Sequence, residues 1–358
     1  MKMKKKIFAV SDIHGHYTEM RSALDEAGFS PDNDGHLLIV CGDCFDRGEE
    51  NRAVLEYLNS VQNKILIKGN HEDMLRNALR TEQITGDDVY NSLDITLMEF
   101  FGADVFDRRG RLNFIGREDI LNALIRHIDG MCDYFETENY LFTHGWLPSE
   151  YAKDGFRVIE GYRHQTPDLW VRGRITPWTQ MYAEGATLEG KTIVCGHRAA
   201  RYGSRFDPSR NADDSHIFYG NGMIAIDALT VQSGRVNVLM LEDDISVQTH
   251  RMNLKKEPFL QMRDGKKRVE MRLFDEKRQA ICIGDEIVFI EEESGETLRA
   301  AVIGLHVYPN FSMMSWNFEN ECLGVPSDIA VGDYMRAFYS DDAVYQNGAL
   351  AIRLRMLL

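Results

Sequence analysis

Little in this chain would place it outside a reduced cellular interior. Six cysteines, at 41, 44, 132, 195, 282 and 322, are scattered over 358 residues without framework spacing. That excludes a disulfide scaffold and leads us to expect the cytoplasm. Cys41 and Cys44 form a C-x-x-C, but both interleave with a Gly-Asp motif, so neither a redox pair nor a zinc pair is inferred. No stretch approaches the ~20 apolar residues of a membrane helix. The basic start, Met1 to Lys6, precedes Ile7-Phe8-Ala9-Val10, a run too short for the core of a signal peptide. Positive charge is in deficit, 41 Lys+Arg against 56 Asp+Glu for a net of −15. A general nucleic-acid or membrane-surface binder is therefore excluded, although a local patch can override the global sign. No internal repeat or low-complexity segment occurs. Hydrophobic content of 44% and charged content of 27% fit a soluble globular protein with enough chain for two domains.

What is present is a recurring unit of short apolar run, glycine-flanked polar motif and helix. Lys6 to Val10 reads as a strand followed by Ser11-Asp12-Ile13-His14-Gly15-His16, with helical spacing over Tyr17 to Ala27. Leu37 to Val40 reads as a second strand, ended by Gly42-Asp43-Cys44-Phe45-Asp46-Arg47-Gly48, with a helix over Asn51 to Val61. Ile65-Leu66-Ile67 then leads into Gly69-Asn70-His71-Glu72. This alternation predicts a βαβαβ half-sheet with its loops gathered at one edge, where open α/β sheets place ligands. Residues 81–130 are helical in pattern, carry Arg108-Arg109-Gly110-Arg111, and read as an insert or cap. Strands resume at Cys132 to Phe135 and Tyr140 to Thr143, the second ending in His144-Gly145-Trp146. A further insert over 149–190 contains Trp170-Val171-Arg172-Gly173-Arg174, and Thr192 to Cys195 ends in Gly196-His197-Arg198. Met223 to Asp227 and Val236 to Leu241 close the sheet, and the polar stretch 243–254 reads as a linker. Beyond it, short strands at Ile281 to Ile283, Glu286 to Ile290, Ala300 to Tyr308 and Leu350 to Leu354 suit a small barrel.

Asp12, His14, Asp43, Asn70, His144 and His197 each follow a predicted strand and lie next to or near a glycine. They divide over two cations, with Asp12, His14 and Asp43 for one and Asp43, Asn70, His144 and His197 for the other. Asp43 bridges, because a carboxylate offers two oxygens. Two such cations bind both oxygens of a phosphate, lower the pKa of a bridging water and stabilise an in-line displacement. His71, beside a ligand without being needed as one, is free to protonate the leaving oxygen. Asp46 can orient that imidazole and keep it charged, and Arg47 can hold a phosphate as a planar fork.

Asp12-Ile13-His14-Gly15, Gly42-Asp43 with Asp46-Arg47-Gly48, and Gly69-Asn70-His71-Glu72 resemble the three signature blocks of calcineurin-like metallophosphoesterases. His144-Gly145 and Gly196-His197 match the two later histidine blocks, in order. The branch is the one holding serine/threonine phosphoprotein phosphatases and symmetrical diadenosine-tetraphosphatases. The resemblance implies an α/β fold, a two-layer β-sandwich flanked by helices, over residues 1–242. It also implies a dinuclear centre of manganese, iron or zinc, with His71 as general acid, Asp46 as its partner and Arg47 on the phosphate. A second phosphate arginine lies between the later histidines in that family; Arg172 is the nearest match and Arg174 the weaker one. Arg198 departs from the family pattern, where a small residue or threonine is usual. With Arg201, Arg205 and Arg210 it adds positive charge, unless Asp207, Asp213 and Asp214 neutralise that loop.

Residues 255–358 resemble an ASCH domain, a small β-barrel of the PUA-like group. The resemblance rests on Gly265 to Leu273, Ile283 to Phe289, Tyr308-Pro309-Asn310-Phe311, and Tyr339-Ser340 with Gly348 to Ile352. It implies binding of RNA or modified nucleosides, with Lys266, Lys267 and Arg268 as contacts. Lys267 matches a catalytic lysine of acetylcytidine-hydrolysing members, but Glu270 stands where their threonine would be. A binding module, or a barrel that only packs, is therefore expected rather than a second hydrolase.

The expected activity is hydrolysis of phosphate esters or anhydrides by a metal-bridging hydroxide, with two divalent ions, manganese first and iron or zinc as alternatives. The expected substrate is a nucleotide polyphosphate or phosphorylated RNA end, with phosphate contacts from Arg47, Arg172 and Arg198. The alternatives are a serine/threonine phosphoprotein phosphatase and an RNA-binding platform without turnover. Partners are a phosphorylated small molecule, nucleotide or RNA, and no membrane.

Overall fold

Lys2–Val10 (β1), His36–Cys41 (β2) and Lys64–Ile67 (β3) pair in parallel in the computed structural model, which describes residues 2–153 and 155–357. Their central residues, such as Phe8-Ala9-Val10 and Leu38-Ile39-Val40, are buried on both faces, the pattern of parallel strands covered on each side. Helices Tyr17–Glu26 (α1) and Asn51–Ser60 (α2) return the chain between them. Asn70–Thr81 (α3) follows β3, and the stretch 81–130 is helical, with Gly86–Tyr90 (α4), Leu93–Phe101 (α5) and Glu118–Asp129 (α6). Its apolar faces, including Leu93, Leu97, Leu124 and Ile128, join the core laid on β1 and β2.

The chain then forms Phe135–Glu136 (β4), Tyr140–Phe142 (β5) and a hairpin of Ser149–Ala152 (β6) with Gly155–Val158 (β7). Helices Pro167–Arg174 (α7) and Trp178–Ala183 (α8) precede Thr192–Cys195 (β8), Phe218–Gly220 (β9) and Met223–Ala225 (β10). Thr230–Ser233 (α9) and Leu239–Ser246 (β11) follow. Two sheets result, β11-β1-β2-β3 and β4-β5-β8-β10-β9, so the expected α/β fold holds.

The stretch expected as a linker is strand on both sides of a short turn: β11 runs to Ser246, and Thr249–Leu254 (β12) begins soon after. Its polarity misled because β11 alternates buried and exposed residues, and one buried member is the carboxylate Asp243. Asp243 accepts from Thr137 Oγ1 (2.6 Å), Asn139 N (2.8 Å) and Asn139 Nδ2 (2.6 Å), tying the β4–β5 turn of one sheet to the edge of the other. Burial raises its pKa, but those hydrogen bonds outweigh burial and hold it below the usual carboxylate value. The linked stabilisation is therefore complete above the unfolded value of about 4 and is lost as pH falls through the lower folded value. Asp243→Asn should cost about 1–3 kcal/mol at neutral pH. In calorimetry, its melting deficit should shrink as the pH is lowered.

In the smaller unit β12 joins Val269–Leu273 (β13), Glu286–Glu291 (β14), Thr297–Tyr308 (β15) and Ala349–Leu357 (β16) in one five-stranded sheet, in the order β12-β14-β15-β16-β13. A bulge between Val302 and Gly304 bends the long β15–β16 pair. Among the described residues β12 and β13 are not paired, so the expected barrel stays open at one seam. Arg272 Nη2 reaches across that seam to Asn253 O at 3.0 Å. This unit also takes in Ile159–Trp170, where Gln165 O meets His306 Nδ1 (2.8 Å) and Asp168 accepts from Asn317 (3.1 Å). The sequence boundary at 243–254 therefore does not separate the two compact units cleanly.

Candidate functional site

The motif loops converge because backbone groups at the strand ends bond to one another. Asp12 N donates to Gly42 O (3.1 Å), His14 N to Asp43 O (3.0 Å) and Gly196 N to His144 O (2.7 Å). The chain turns sharply to do so, and Asp12, His14, Asp43, Asp46, Arg47 and His197 all lie at positive φ, between 50° and 72°. Two glycines are required by close approach: a Cβ on Gly69 would lie 2.2 Å from Asp43 Oδ1, and one on Gly196 would lie 2.2 Å from Asp12 Oδ2.

Two ligand groups share Asp43: His14, Asp43 and His71, and Asp43, His144 and His197, each with its donor atoms within 4.8 Å of one another. Asn70 Oδ1 lies 3.0 Å from His144 Nε2, which brings it to the second group. Asp12 sits at the edge, accepting from His197 N (3.0 Å) and from the Ser11 hydroxyl. His144 Nε2 is 3.3 Å from Asp43 Oδ1, and its Nδ1 is fixed by Cys41 O at 2.7 Å. The electrostatics are those of a site built for cations. Burial opposes charge on His144, yet Asp43 and Asp12 push its pKa up to about 10. Burial and the neighbouring His144 bring His197 down to about 4, and burial with His71 lowers His14. Asp12 is raised by burial and by the nearby buried carboxylate Asp227. The mixed nitrogen–oxygen donors fit manganese, iron or zinc alike. Bound cations would supply Lewis acidity at this point.

His71 Nδ1 lies 2.7 Å from Asp46 Oδ2, and its Nε2 is 3.4 Å from Arg47 Nη2. Burial lowers the pKa of His71, but Asp43 and Asp46 outweigh it and raise the value, which favours the protonated imidazole. Its grouping with His14 and Asp43 adds a possible ligand position to the acid role read from the sequence.

The remaining expected residues are not members of these ligand groups. Arg172 is exposed on α7, and Arg198 is exposed directly after His197. Arg174 is buried between Asp73 (2.7 Å) and Asp133 (2.7 Å), an internal ion triad. In the smaller unit Lys266 is exposed and Arg268 half-buried, but Lys267 turns inward. Its ammonium donates to Val269 O (2.9 Å) and Leu323 O (2.6 Å). Lys267 lines a cavity of about 410 Å³ with Glu270, Arg272, Tyr334 and Phe338. There Glu270 Oε1 meets Arg272 Nη1 at 2.5 Å, while Glu270 Oε2 is without a hydrogen bond.

Several residues were not assigned a role from sequence. Buried Glu72 accepts from Asp43 N (2.9 Å), Cys44 N (2.8 Å) and Gly69 N (2.8 Å), clamping the two ligand loops together. It was visible only as the last letter of its motif. Asn91, between α4 and α5, accepts from Arg47 Nη2 at 3.0 Å, while its own Nδ2 donates to Asp87 O at 2.8 Å. A neutral amide orients the guanidinium without cancelling its charge. Asn91→Asp should therefore raise KM for a phosphate ester about tenfold, about 1.4 kcal/mol, and more than Asn91→Ala does. Steady-state kinetics should show kcat little changed in either variant.

The calcineurin-like phosphoesterase family model matches residues 5–227, and the ASCH domain model matches 252–354. The serine/threonine-protein phosphatase 2 of Salmonella typhimurium is 44% identical over 78 residues, 22% of this chain and 34% of that protein. The symmetrical bis(5'-nucleosyl)-tetraphosphatase of Nitrosospira multiformis is 29% identical over 146 residues, 40% of this chain and 44% of that protein. The chain thus spans less than half of the length of either relative. The solution structure of protein PF0455 from Pyrococcus furiosus is 31% identical, covers 31% of this chain and 98% of its own, and has a TM-score of 0.25. With a family match running through all five motif blocks, and those blocks gathered in one cluster around Asp43, the chain belongs to the calcineurin-like phosphoesterases.

Proposed function

We propose that the chain is a metal-dependent phosphoesterase whose natural substrate is a nucleotide polyphosphate or a phosphorylated RNA end. The observation that carries the reading is Asp43, shared by two ligand groups and adjoining the hydrogen-bonded His71–Asp46 pair and Arg47. Two divalent ions, manganese first, would be held by Asp12, His14 and Asp43 and by Asp43, Asn70, His144 and His197. Charged His71 delivers a proton to the departing oxygen, Asp46 holds its ring, and Arg47 binds the phosphate. Arg198, exposed beside His197, supports a substrate with more than one phosphate. The inward Lys267, bonded to two carbonyls, and Glu270 in the place of a threonine support a binding role for the smaller unit, with RNA or a nucleoside as partner. A phosphoprotein phosphatase is the second reading, favoured by the 44% identity to the Salmonella phosphatase.

The test is a turnover screen of manganese-loaded protein on phosphopeptides, dinucleoside polyphosphates, cyclic nucleotides and RNA ends. The highest kcat/KM is expected for a polyphosphate or RNA end. A phosphopeptide at the head of the ranking would favour the second reading, and full turnover by metal-free protein would end the first.

A further inference from the structure

Three arginines surround one tyrosine just after the last metal-ligand histidine. After His197 the chain runs through Arg198 into a short 3-10 helix, Ala200–Arg205. The guanidinium carbons of Arg198, Arg201 and Arg205 lie 4.5, 5.5 and 4.7 Å from the centre of the Tyr202 ring. Trp178 Nε1 pins the backbone from below by donating to Arg198 O at 2.5 Å, and Trp178 itself stacks on Phe218. Among the described residues none of the three guanidiniums makes an ion pair with a carboxylate.

The acids expected to neutralise this loop are occupied elsewhere or stand further off. Asp207 accepts from Ser209 N (2.9 Å) and Ser209 Oγ (2.6 Å). Asp214 holds His216 (2.6 Å) and Arg210 (3.4 Å), and Arg210 also donates to Ile217 O (3.1 Å). Arg210 is therefore a structural residue, and the other three are the ones without a carboxylate partner among the described residues, Arg201 also hydrogen-bonding the Tyr202 side chain. Asp213 and Asp214 share with Arg201, Arg235 and His216 a cavity of about 380 Å³ on one side of the cluster, without pairing to Arg201.

Attraction to an exposed ring face contributes about 0.5–1 kcal/mol per cation, which the mutual repulsion of three cations largely offsets. Among the described residues no carboxylate pairs with the cluster. Since each guanidinium is about 5 Å from one centre, no two are more than about 10 Å apart. A nucleic-acid strand carries one charge per nucleotide and spreads them along its axis. A linear oligophosphate places several charges within that span, each able to take a forked guanidinium.

We infer that Arg198, Arg201 and Arg205 around Tyr202 form an oligophosphate-binding subsite that works without the metals. Its use as the seat of a substrate's phosphate chain rests on the phosphoesterase reading above, whereas the binding itself does not.

Full-length protein stripped of metal by chelation is titrated calorimetrically with tripolyphosphate and with inorganic phosphate. Tripolyphosphate should bind at least tenfold more tightly than phosphate. The triple variant Arg198→Gln/Arg201→Gln/Arg205→Gln should lose that preference, and the triple Arg→Lys variant should keep most of it. Equal affinity for the two anions, or a preference surviving in the glutamine triple, overturns the subsite. A lysine triple as weak as the glutamine triple overturns the charge-based account. In manganese-loaded protein the glutamine triple should lose at least ten times more kcat/KM on a dinucleoside tetraphosphate than on an aryl phosphate. Equal losses remove the subsite from the substrate path. If the unaltered protein hydrolyses neither compound, the phosphoesterase reading falls while the calorimetric result still decides the anion site.

Discussion

Replacing Asp43 by asparagine should take hydrolysis of a generic aryl phosphate below detection and release bound metal. The carboxylate is the one group common to both ligand sets, and an amide offers a single weaker oxygen donor in place of two charged ones. The same substitution exchanges a charged acceptor for a neutral one at His71 N (3.1 Å) and removes the charge that raises His144 and His71. His71→Asn should behave differently, losing about 10²–10⁴-fold in kcat while retaining metal measured by elemental analysis. The contrast separates holding the cations from delivering the proton. Loss of metal in both variants would make His71 a ligand, in keeping with its place beside His14 and Asp43.

The second large effect is one of stability. Arg174→Ala should cost about 3–5 kcal/mol, because it breaks a buried ion pair by removing its cation. Asp133 is almost fully buried and receives Arg174 Nη1 at 2.7 Å, while Asp73 holds Nε from the other side. At about 2–4 °C per kcal/mol for a unit of this size, the melting temperature should fall by roughly 10 °C. Pairing Arg174→Met with Asp133→Leu should recover much of the loss, since a well-packed apolar replacement avoids the desolvation cost. Arg172→Ala should leave the melting temperature within about 1 °C, as exposed substitutions do. A raised KM in Arg172→Ala alone would mark it as the phosphate contact. A stable Arg174→Ala with raised KM would reverse the assignment of the two arginines.

The candidate ligand residues were legible because each is local. Asp12, His14, Asp43, His144 and His197 follow apolar runs directly, and a strand end fixes where such a residue must emerge. What failed to show was tertiary. Nothing in the spelling of Trp170-Val171-Arg172-Gly173-Arg174 tells which arginine faces Asp133, because that is set by how α7 meets α3. Asn91 lies 44 residues from Arg47 in an insert without a motif. Asp243 was hidden by its own polarity, since a buried carboxylate in a strand reads as loop until Thr137 and Asn139 are seen around it. Lys267 shows the opposite failure: a basic run suggested a surface, and its central member points inward.

The left-handed backbone at Asp12, His14, Asp43, Asp46, Arg47 and His197 has a consequence for the fold as a whole. Each such residue is about 1–3 kcal/mol less comfortable than in an ordinary turn, and all six gather where like charges also crowd. A cation held by the native state alone would shift the folding equilibrium toward it and offset part of that cost. Ion supply would then set how firmly the chain is folded.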